Sequence, residues 1–505
     1  MNGPIINMRD VSLEVGGRTL LESASFSCNG STRAAIVGAN GSGKSTLLKA
    51  LIKGVEPVAG NVTIMRDAIV QYVPQFISPD IVELTAYDAV LKNMLEVRPT
   101  FEEWKASETI SECGLDEIAY DRPLLEVSGG EANRIMLARA LAVQPDFILL
   151  DEPTNHLDTE AIIAFEELLH KKLRTPFCIV SHDRELLDKC TQQTIILRDQ
   201  QLYYFGLPYS KAKLKLYEDD QARAEQRKSE EKHIRRLKAS ADRVRTWTRT
   251  NSDLAATHRS MRKRIQRMED EKTFVSRERA AKVVLGGAAL NTKSVVRIEH
   301  ASISVPEGPE LYQVERFHVN PGDRAVIFGR NGAGKTTFLR RLVAAHENAT
   351  DPEVKFNPQV KVGYFDQELR LLDSKQSMFD HIHKVTSVSD ADVRAALLAA
   401  GFPYERHREK IGALSGGEKA RLQFAALRLM DTNLLILDEP TNHIDVEGIQ
   451  SLEEQVTDSN STFVMVSHDR RFIDNVANRF FLIRDGQLRE IGDPAEYYNY
   501  VADSG

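Results

Sequence analysis

GANGSGKS at 38–45 and GRNGAGKT at 329–336 are one eight-residue pattern, G-x-x-x-x-G-K-[ST], written twice. In the first copy the flanks read IVGANGSGKSTLLKALI, an apolar strand, a glycine-rich turn and a helix. Glycine has no Cβ, so a loop built on Gly38, Gly41 and Gly43 lets backbone N–H groups wrap closely around phosphate oxygens. The helix that follows points its positive end at the anion. Lys44 supplies a point charge for the outer phosphates and Ser45 is placed to ligate Mg²⁺. Gly329, Gly332, Gly334, Lys335 and Thr336 take the same roles in the second copy. Asn40, Thr46, Asn331 and Thr337 complete the two phosphate-binding stretches. The bland alternative, a turn that binds nothing, suits a single match better than a repeated one.

The duplication extends beyond the loop. VSGGEANRI at 127–135 returns as LSGGEKARL at 414–422. ILLDEPTNHLD at 148–158 returns as ILDEPTNHID at 436–445, and VSHDR at 180–184 as VSHDR at 466–470. The offsets stay between 286 and 291 residues, too long for a solenoid unit, so whole domains are repeated. Strands alternating with helices predict an α/β fold with a largely parallel sheet, and ligands at the carboxyl ends of its strands. Asp151 and Asp438 end apolar strands and suit Mg²⁺ coordination. Glu152 and Glu439 follow immediately and are placed to orient or polarise an attacking water; a strand-end salt bridge is the structural alternative. His182 and His468 also follow apolar strands and are assigned to γ-phosphate contact.

Composition sets the frame. The chain has 505 residues, 42% hydrophobic and 28% charged, an ordinary globular mix with enough apolar material for several cores. It contains no apolar run long enough to span a bilayer, and its first residues do not read as a signal peptide. Four scattered cysteines form no C-x-x-C pair, which fits a reducing cytoplasm better than a disulfide or zinc framework.

The order of phosphate loop, SGGE, DEPTNH and SHD resembles the ATP-binding-cassette ATPases. SGGE rather than SGGQ, DEPTNHLD and DEPTNHID, SHDR, and two cassettes in one chain resemble the ABC-F family in particular, over roughly residues 5–205 and 293–500. The resemblance implies two P-loop ABC ATPase domains, 1–205 and 293–505, joined by a long α-helical hairpin linker, 206–292. It implies that the cassettes close head to tail around two ATP molecules. Lys44, Gln75, Asp151, Glu152 and His182 would then face Ser415, Gly416, Gly417 and Glu418. Lys335, Gln367, Asp438, Glu439 and His468 would face Ser128, Gly129, Gly130 and Glu131. Gln75 in YVPQ and Gln367 in YFDQ match the loop that links the metal to domain movement. The family's adenine-stacking aromatic is replaced by Val15 and Val305, with Tyr312 as a substitute in the second cassette.

The linker departs from the rest. Residues 211–282 carry 22 Lys/Arg against 12 Asp/Glu, a net of +10 on a chain whose formal net charge is −7. Glycine and proline are absent from 209–285. Ile234, Leu237, Ala241 and Val244 step at heptad spacing, as do Leu254, Met261, Ile265, Met268 and Val275. Thr250 and Asp253 fit a capping box for the return helix. The pattern predicts an antiparallel hairpin about 50 Å long with its tip near 246–253. Its outer face carries Arg243, Arg245, Arg249, Arg259, Arg262, Lys263 and Arg264, a charge suited to a phosphate backbone. Trp247 either stacks on a base or fills the turn. A solvated spacer and a self-association coil are the other readings.

By the ABC-F resemblance such a hairpin reaches from the ribosomal E site towards the tRNA and the peptidyl-transferase centre. The first cassette has little room for the extra arm of housekeeping members, and the chain ends soon after the second. Both features resemble the antibiotic-resistance branch. The expectation is a cytoplasmic, monomeric ATPase with ATP and Mg²⁺ as cofactors and the ribosome, through rRNA and tRNA, as partner. A twin-cassette motor of an importer with separate membrane subunits is the alternative; a DNA-repair cassette ATPase ranks below it, lacking zinc-binding cysteine pairs.

Overall fold

The computed structural model describes residues 3–98, 103–115, 121–155, 157–247, 253–276, 283, 285–305, 308–348, 351–442 and 444–504. Short apolar runs without polar alternation must bury both faces. In the first repeat Arg33–Gly38, Phe147–Asp151 and Phe177–Val180 do so as the centre of a six-stranded sheet. Its order is Val70–Val73, Phe147–Asp151, Phe177–Val180, Arg33–Gly38, Gln193–Arg198 and Gln201–Phe205, parallel except for the last strand. Leu47, Leu48 and Leu51 of the helix Lys44–Leu51 pack on one face, against Ile36, Leu149 and Val180. Ile135 and Leu137 of the helix Gly129–Leu141 pack on the other, against Ala35, Leu150 and Ile179. The expected parallel α/β sheet is present.

An antiparallel sheet of Ile6–Val15, Arg18–Cys28 and Ala59–Ile64 adds to it, with burial on one face of each long strand. The second repeat follows the same plan but joins both parts into one nine-stranded sheet. The junction is a parallel pairing of Gln313 with Gln487 and of Val314 with Leu488. In each repeat the parallel strands end at one edge, which brings the phosphate loop, the DE pair and the SHDR turn together.

Between the repeats the helix Tyr209–Trp247 runs 39 residues, about 58 Å, and the helix Asp253–Asp270 returns 18 residues, about 27 Å. Ile234, Ala241 and Ile265 are buried in the seam with Leu237, Met261 and Met268 around them, as the heptad spacing predicts. Lys238 pairs with Glu269 across it at 2.6 Å. The return helix spans only half of its partner, because the chain leaves the seam at Thr273, whose N–H and hydroxyl donate to Glu230. Val275, assigned to the seam, lies beyond the helix end. The tip, with Arg249, Thr250 and the side chains of Trp247 and Leu254, lies outside the described residues. Farther on, Val283 and Leu290 already pack into the cores of the second repeat.

Candidate active sites and the surface between them

Each phosphate loop closes on its lysine. Lys44 Nζ donates to the Gly38 and Ala39 carbonyls at 2.8 and 3.2 Å, and Lys335 Nζ to those of Gly329 and Arg330 at 2.6 and 3.1 Å. Gly43 and Gly334 have φ of 97° and 96°, and a Cβ on Gly334 would meet Leu311 Cδ1 at 2.6 Å. The backbone angle requires glycine at both positions, and Leu311 would have to shift to admit a Cβ on Gly334. Ser45 Oγ donates to Asp151 Oδ1 at 3.0 Å, and Thr336 Oγ1 to Asp438 Oδ1 at 3.2 Å.

Glu152 and Glu439 follow with φ of 49° each, in the left-handed region that side chains rarely adopt. Their N–H groups donate to the Val180 and Val466 carbonyls at 2.9 Å, which holds the turn and brings each glutamate under the SHDR segment. His182 Nε2 lies 3.1 Å from Glu152 Oε1, and His468 Nε2 lies 3.2 Å from Glu439 Oε1. Burial pushes the Glu152 carboxyl up to about 7 and the Glu439 carboxyl up to about 8. Burial also pulls His182 down to about 3 and His468 well below its ordinary value. The His–Glu pairs are therefore neutral imidazoles beside proton-hungry carboxylates, not salt bridges. These contacts fall short of hydrogen-bond geometry: among the described residues neither Glu152 oxygen nor Glu439 Oε1 has a hydrogen-bond partner.

A cleft of about 300 Å³ in the second repeat is lined by Asn331, Gly332, Gly334, Lys335, Thr336, Thr337, Gln367, Asp438, Glu439 and His468, with Val305 and Leu311 at its apolar side. The sequence-derived residues of this repeat thus converge on one space. Asp438 Oδ2 is buried without a hydrogen-bond partner among the described residues, and burial pushes this carboxyl up to about 6. An unsatisfied aspartate beside a threonine hydroxyl is the hard oxygen set that a magnesium ion on a phosphate needs. In the first repeat Tyr72 donates to Asp151 Oδ2 at 2.7 Å; in the second, Tyr364 instead donates to Asp366 at 3.4 Å.

Two expectations are corrected. Tyr312 does not offer a ring for adenine: it is 1% exposed, sits in the core and donates to the Gly334 carbonyl at 3.4 Å. Residues alternate across the strand, so it is the neighbour Leu311 that faces the cleft. Glu131 and Glu418 point back at their own helices. Ser128 Oγ accepts the Glu131 N–H at 3.3 Å while Glu131 Oε2 accepts the Ser128 N–H at 2.8 Å, and Ser415 and Glu418 repeat this capping box. Arg122 and Arg406 hold the same carboxylates. Ser128, Gly129, Gly130 and Glu131 are not among the residues lining the second-repeat cleft. Ser415 and Gly416 stand exposed, and Gly417 half-buried, at the start of the equivalent helix.

The repeats meet head to tail through the loops after DEPTNH. Asp445 caps its own helix, accepting the Gly448 N–H at 2.8 Å, and with its other oxygen accepts the N–H of Asn40 at 3.1 Å. Asp158 does the same for Ala161 at 2.9 Å and Asn331 at 3.0 Å. The SHDR arginines, which the sequence reading left without a role, also cross. Arg184 binds Glu453 and lies 3.4 Å from Asp469. Arg470 binds Glu166 at 2.6 Å and Glu185 at 3.0 Å. The hairpin root joins the same surface: Arg471 donates to Ser210 Oγ at 2.8 Å, and Lys213 donates to Gln450. On the hairpin, Arg243, Arg245, Arg259, Arg262, Lys263 and Arg264 are exposed.

The family profile described as ABC transporter matches residues 21–155 and 312–442. The ATP-binding protein Uup of Caulobacter vibrioides is 32% identical over 485 residues, 94% of this chain and 76% of that protein. YdiF of Bacillus subtilis (strain 168) is 30% identical over 540 residues, 98% of this chain and 82% of that protein. Among solved structures, the archaeal ribosome recycling factor aABCE1, in complex with the ribosomal stalk protein aP1, superposes with a TM-score of 0.66 at 20% identity. That likeness covers 98% of this chain and 92% of that one.

Proposed function

The chain belongs to the ABC-F family of twin-cassette ATPases, and from that premise we propose that it acts on the ribosome, using ATP to clamp its two cassettes and set the basic hairpin near the tRNA. The observation that carries this is the reciprocal contact of each phosphate loop with the other cassette, Asn40 on Asp445 and Asn331 on Asp158. Such contacts make the two ATP sites and the cassette interface one surface, so that occupancy of one bears on closure of the other. The hairpin root shares that surface through Ser210 and Lys213, which supports coupling of closure to the arm.

At each site Lys44 or Lys335 turns from its loop carbonyls to the outer phosphates, and the loop N–H groups hold the rest. Ser45 with Asp151, and Thr336 with Asp438, would hold Mg²⁺, which would neutralise phosphate charge; Gln75 and Gln367 are assigned to the same metal, and Gln367 lines the second-repeat cleft. The signatures Ser128–Gly129–Gly130 and Ser415–Gly416–Gly417 close over the γ-phosphate of the opposite site on full clamping. Glu152 and Glu439 orient the attacking water and take its proton, a role that a raised carboxyl suits. Hydrolysis then loosens the clamp and releases the arm. The basic residues of the hairpin, with Trp247 and Arg249 of its tip sequence, are assigned to rRNA and tRNA phosphates in the cytosol. No helix among the described residues is long and apolar enough to cross a membrane. Protection of the ribosome from an antibiotic is the finer reading of this arm.

Ribosome co-sedimentation of the Glu152→Gln, Glu439→Gln double variant tests the proposal. Pelleting that requires ATP and weakens with salt is expected. Failure to pellet at low salt, with ATP binding intact, would overturn it and favour a motor for separate membrane subunits.

A further inference from the structure

The two catalytic centres are built on one plan but are held differently from across the interface. His468 Nδ1 lies 3.1 Å from the hydroxyl of Thr159, a residue of the first cassette that is fully buried. The opposite ring nitrogen, Nε2, lies 3.2 Å from Glu439 Oε1. Thr159 thus contacts the histidine that lies beside Glu439 in the other cassette. The residue 287 positions on, equivalent to Thr159, is Val446. It is buried and packs into the hydrophobic core of the first cassette. Among the described residues His182 Nδ1 has no hydrogen-bond partner, and a valine cannot supply one.

The flanking residues differ in the same sense. Asp158, Thr159 and Glu160 all engage the second cassette: Asp158 takes the Asn331 N–H, and the Glu160 carboxylate receives Arg330 Nε and Nη2 at 2.6 Å each. Across the pseudo-twofold the aspartate contact is kept, Asp445 on Asn40. Ala39, however, stands where Arg330 stands, so the Arg330–Glu160 fork has no counterpart from that loop position.

We propose that Thr159 is a positioning residue for hydrolysis at the Lys335–Glu439 site, fixing the His468 ring from the opposite cassette, and that Val446 leaves the Lys44–Glu152 site without this hold. A neutral imidazole has one N–H and one lone pair, and its ring can turn over about the Cβ–Cγ bond. A hydroxyl at Nδ1 removes that freedom and sets which nitrogen faces Glu439 and the γ-phosphate. The ring of His182 keeps it. The consequence is an ATPase whose two sites differ in chemical rate although their motifs match, with the second site the faster. This rests on the assignment of Glu439 and Glu152 as the residues that handle the attacking water.

The test is single-turnover ATP hydrolysis by the full chain with one site silenced. In the Glu152→Gln background, which leaves the Glu439 site, Thr159→Val is expected to slow hydrolysis about tenfold or more with ATP affinity unchanged, and Thr159→Ser to restore most of the rate. In the Glu439→Gln background, Val446→Thr is expected to raise the rate of the remaining site by a similar factor. A Thr159→Val rate equal to its parent would overturn the inference. So would equal slowing by Val and Ser, which would assign the effect to packing rather than to the hydroxyl. If Glu152→Gln with Glu439→Gln hydrolyses as fast as the single variants, the assignment of the glutamates fails first and the inference falls with it.

Discussion

Arg470 Nη2 lies 2.6 Å from Glu166 Oε2 across the cassette interface, and both side chains are buried, 7% and 12% exposed. Arg184 makes the matching contact with Glu453 in the other direction. Arg470 and Arg184 are 286 positions apart, Glu453 and Glu166 287, so the pair of bridges obeys the pseudo-twofold of the duplicated chain. Each arginine sits two residues after a histidine of an ATP site. The bridges therefore connect the SHDR segment of one cassette to the helix behind the DEPTNH loop of the other. Burial works against ionising Glu166, yet Arg470 and Lys189 hold its carboxyl below the ordinary range.

Removing one arginine should open the clamp. Arg470→Ala takes the buried cation from Glu166, Glu185 and Asp183 and leaves only the half-exposed Lys189 beside the two glutamates, a loss of about 3 kcal/mol, the low end for a buried pair. If that energy bears on closure, the ATP concentration that closes fluorescently labelled cassettes should rise about a hundredfold. Arg470→Lys should fall between, keeping the charge and losing the fork. Closure of the alanine variant at the wild-type ATP concentration would show that the bridge plays no part in clamping.

The pH dependence of hydrolysis follows from the glutamates. As acceptors of a proton they act only when ionised. With Glu152 raised to about 7 and Glu439 to about 8, kcat/KM for ATP should climb from pH 6 and level only above about pH 9. The single variants separate the sites: Glu439→Gln should leave the lower inflection and Glu152→Gln the higher. A profile flat from pH 6 to 9 would contradict a proton-accepting role.

Stability of the nucleotide-free protein should run the other way. A carboxyl whose pKa is raised by folding stabilises the native state below its unfolded value and loses that contribution as pH rises through the folded one. Glu152, Glu439 and Asp438 act in this sense between about 4.5 and 8. His182, lowered to about 3, gives stability that grows up to about 6.5, and His468 does likewise. Above pH 6.5 only the carboxyls remain, so Tm should fall between pH 6.5 and 8. The Glu152→Gln, Glu439→Gln variant should flatten that fall by ~2 °C or more. An identical fall in both proteins would place its origin elsewhere.

What could be read from the chain was what is local. A phosphate loop, a DE pair at a strand end and a heptad seam are each set by residues a few positions apart, and Lys335, Asp438, Glu439, His468 and the Ile234–Ile265 contact follow from them. The SGGE capping boxes were legible too, as a serine three residues before a glutamate, but the family resemblance drew attention to nucleotide contact instead. The partners of Arg184, Arg470 and Thr159 were not legible. Each is decided by how one cassette lies on the other, and no spacing within a repeat encodes it. The only trace was the mismatch between Thr159 and Val446 in otherwise parallel motifs. Tyr312 failed for a smaller reason, one position of strand register.

The hairpin offers the last prediction. Arg259, Arg262, Lys263 and Arg264 are exposed on the return helix, while the seam beneath them is apolar and packed through Ile265 and Met261. Reversing these four charges to glutamate leaves the seam untouched, so the helix should persist and ATP hydrolysis without ribosomes should stay within about twofold of wild type. Ribosome affinity should fall, and the slope of log affinity against log salt should shrink by about 3 to 4 if each side chain neutralises one phosphate. A weakened affinity with an unchanged slope would mean that the arm binds by shape or stacking, with its charge turned away from the RNA.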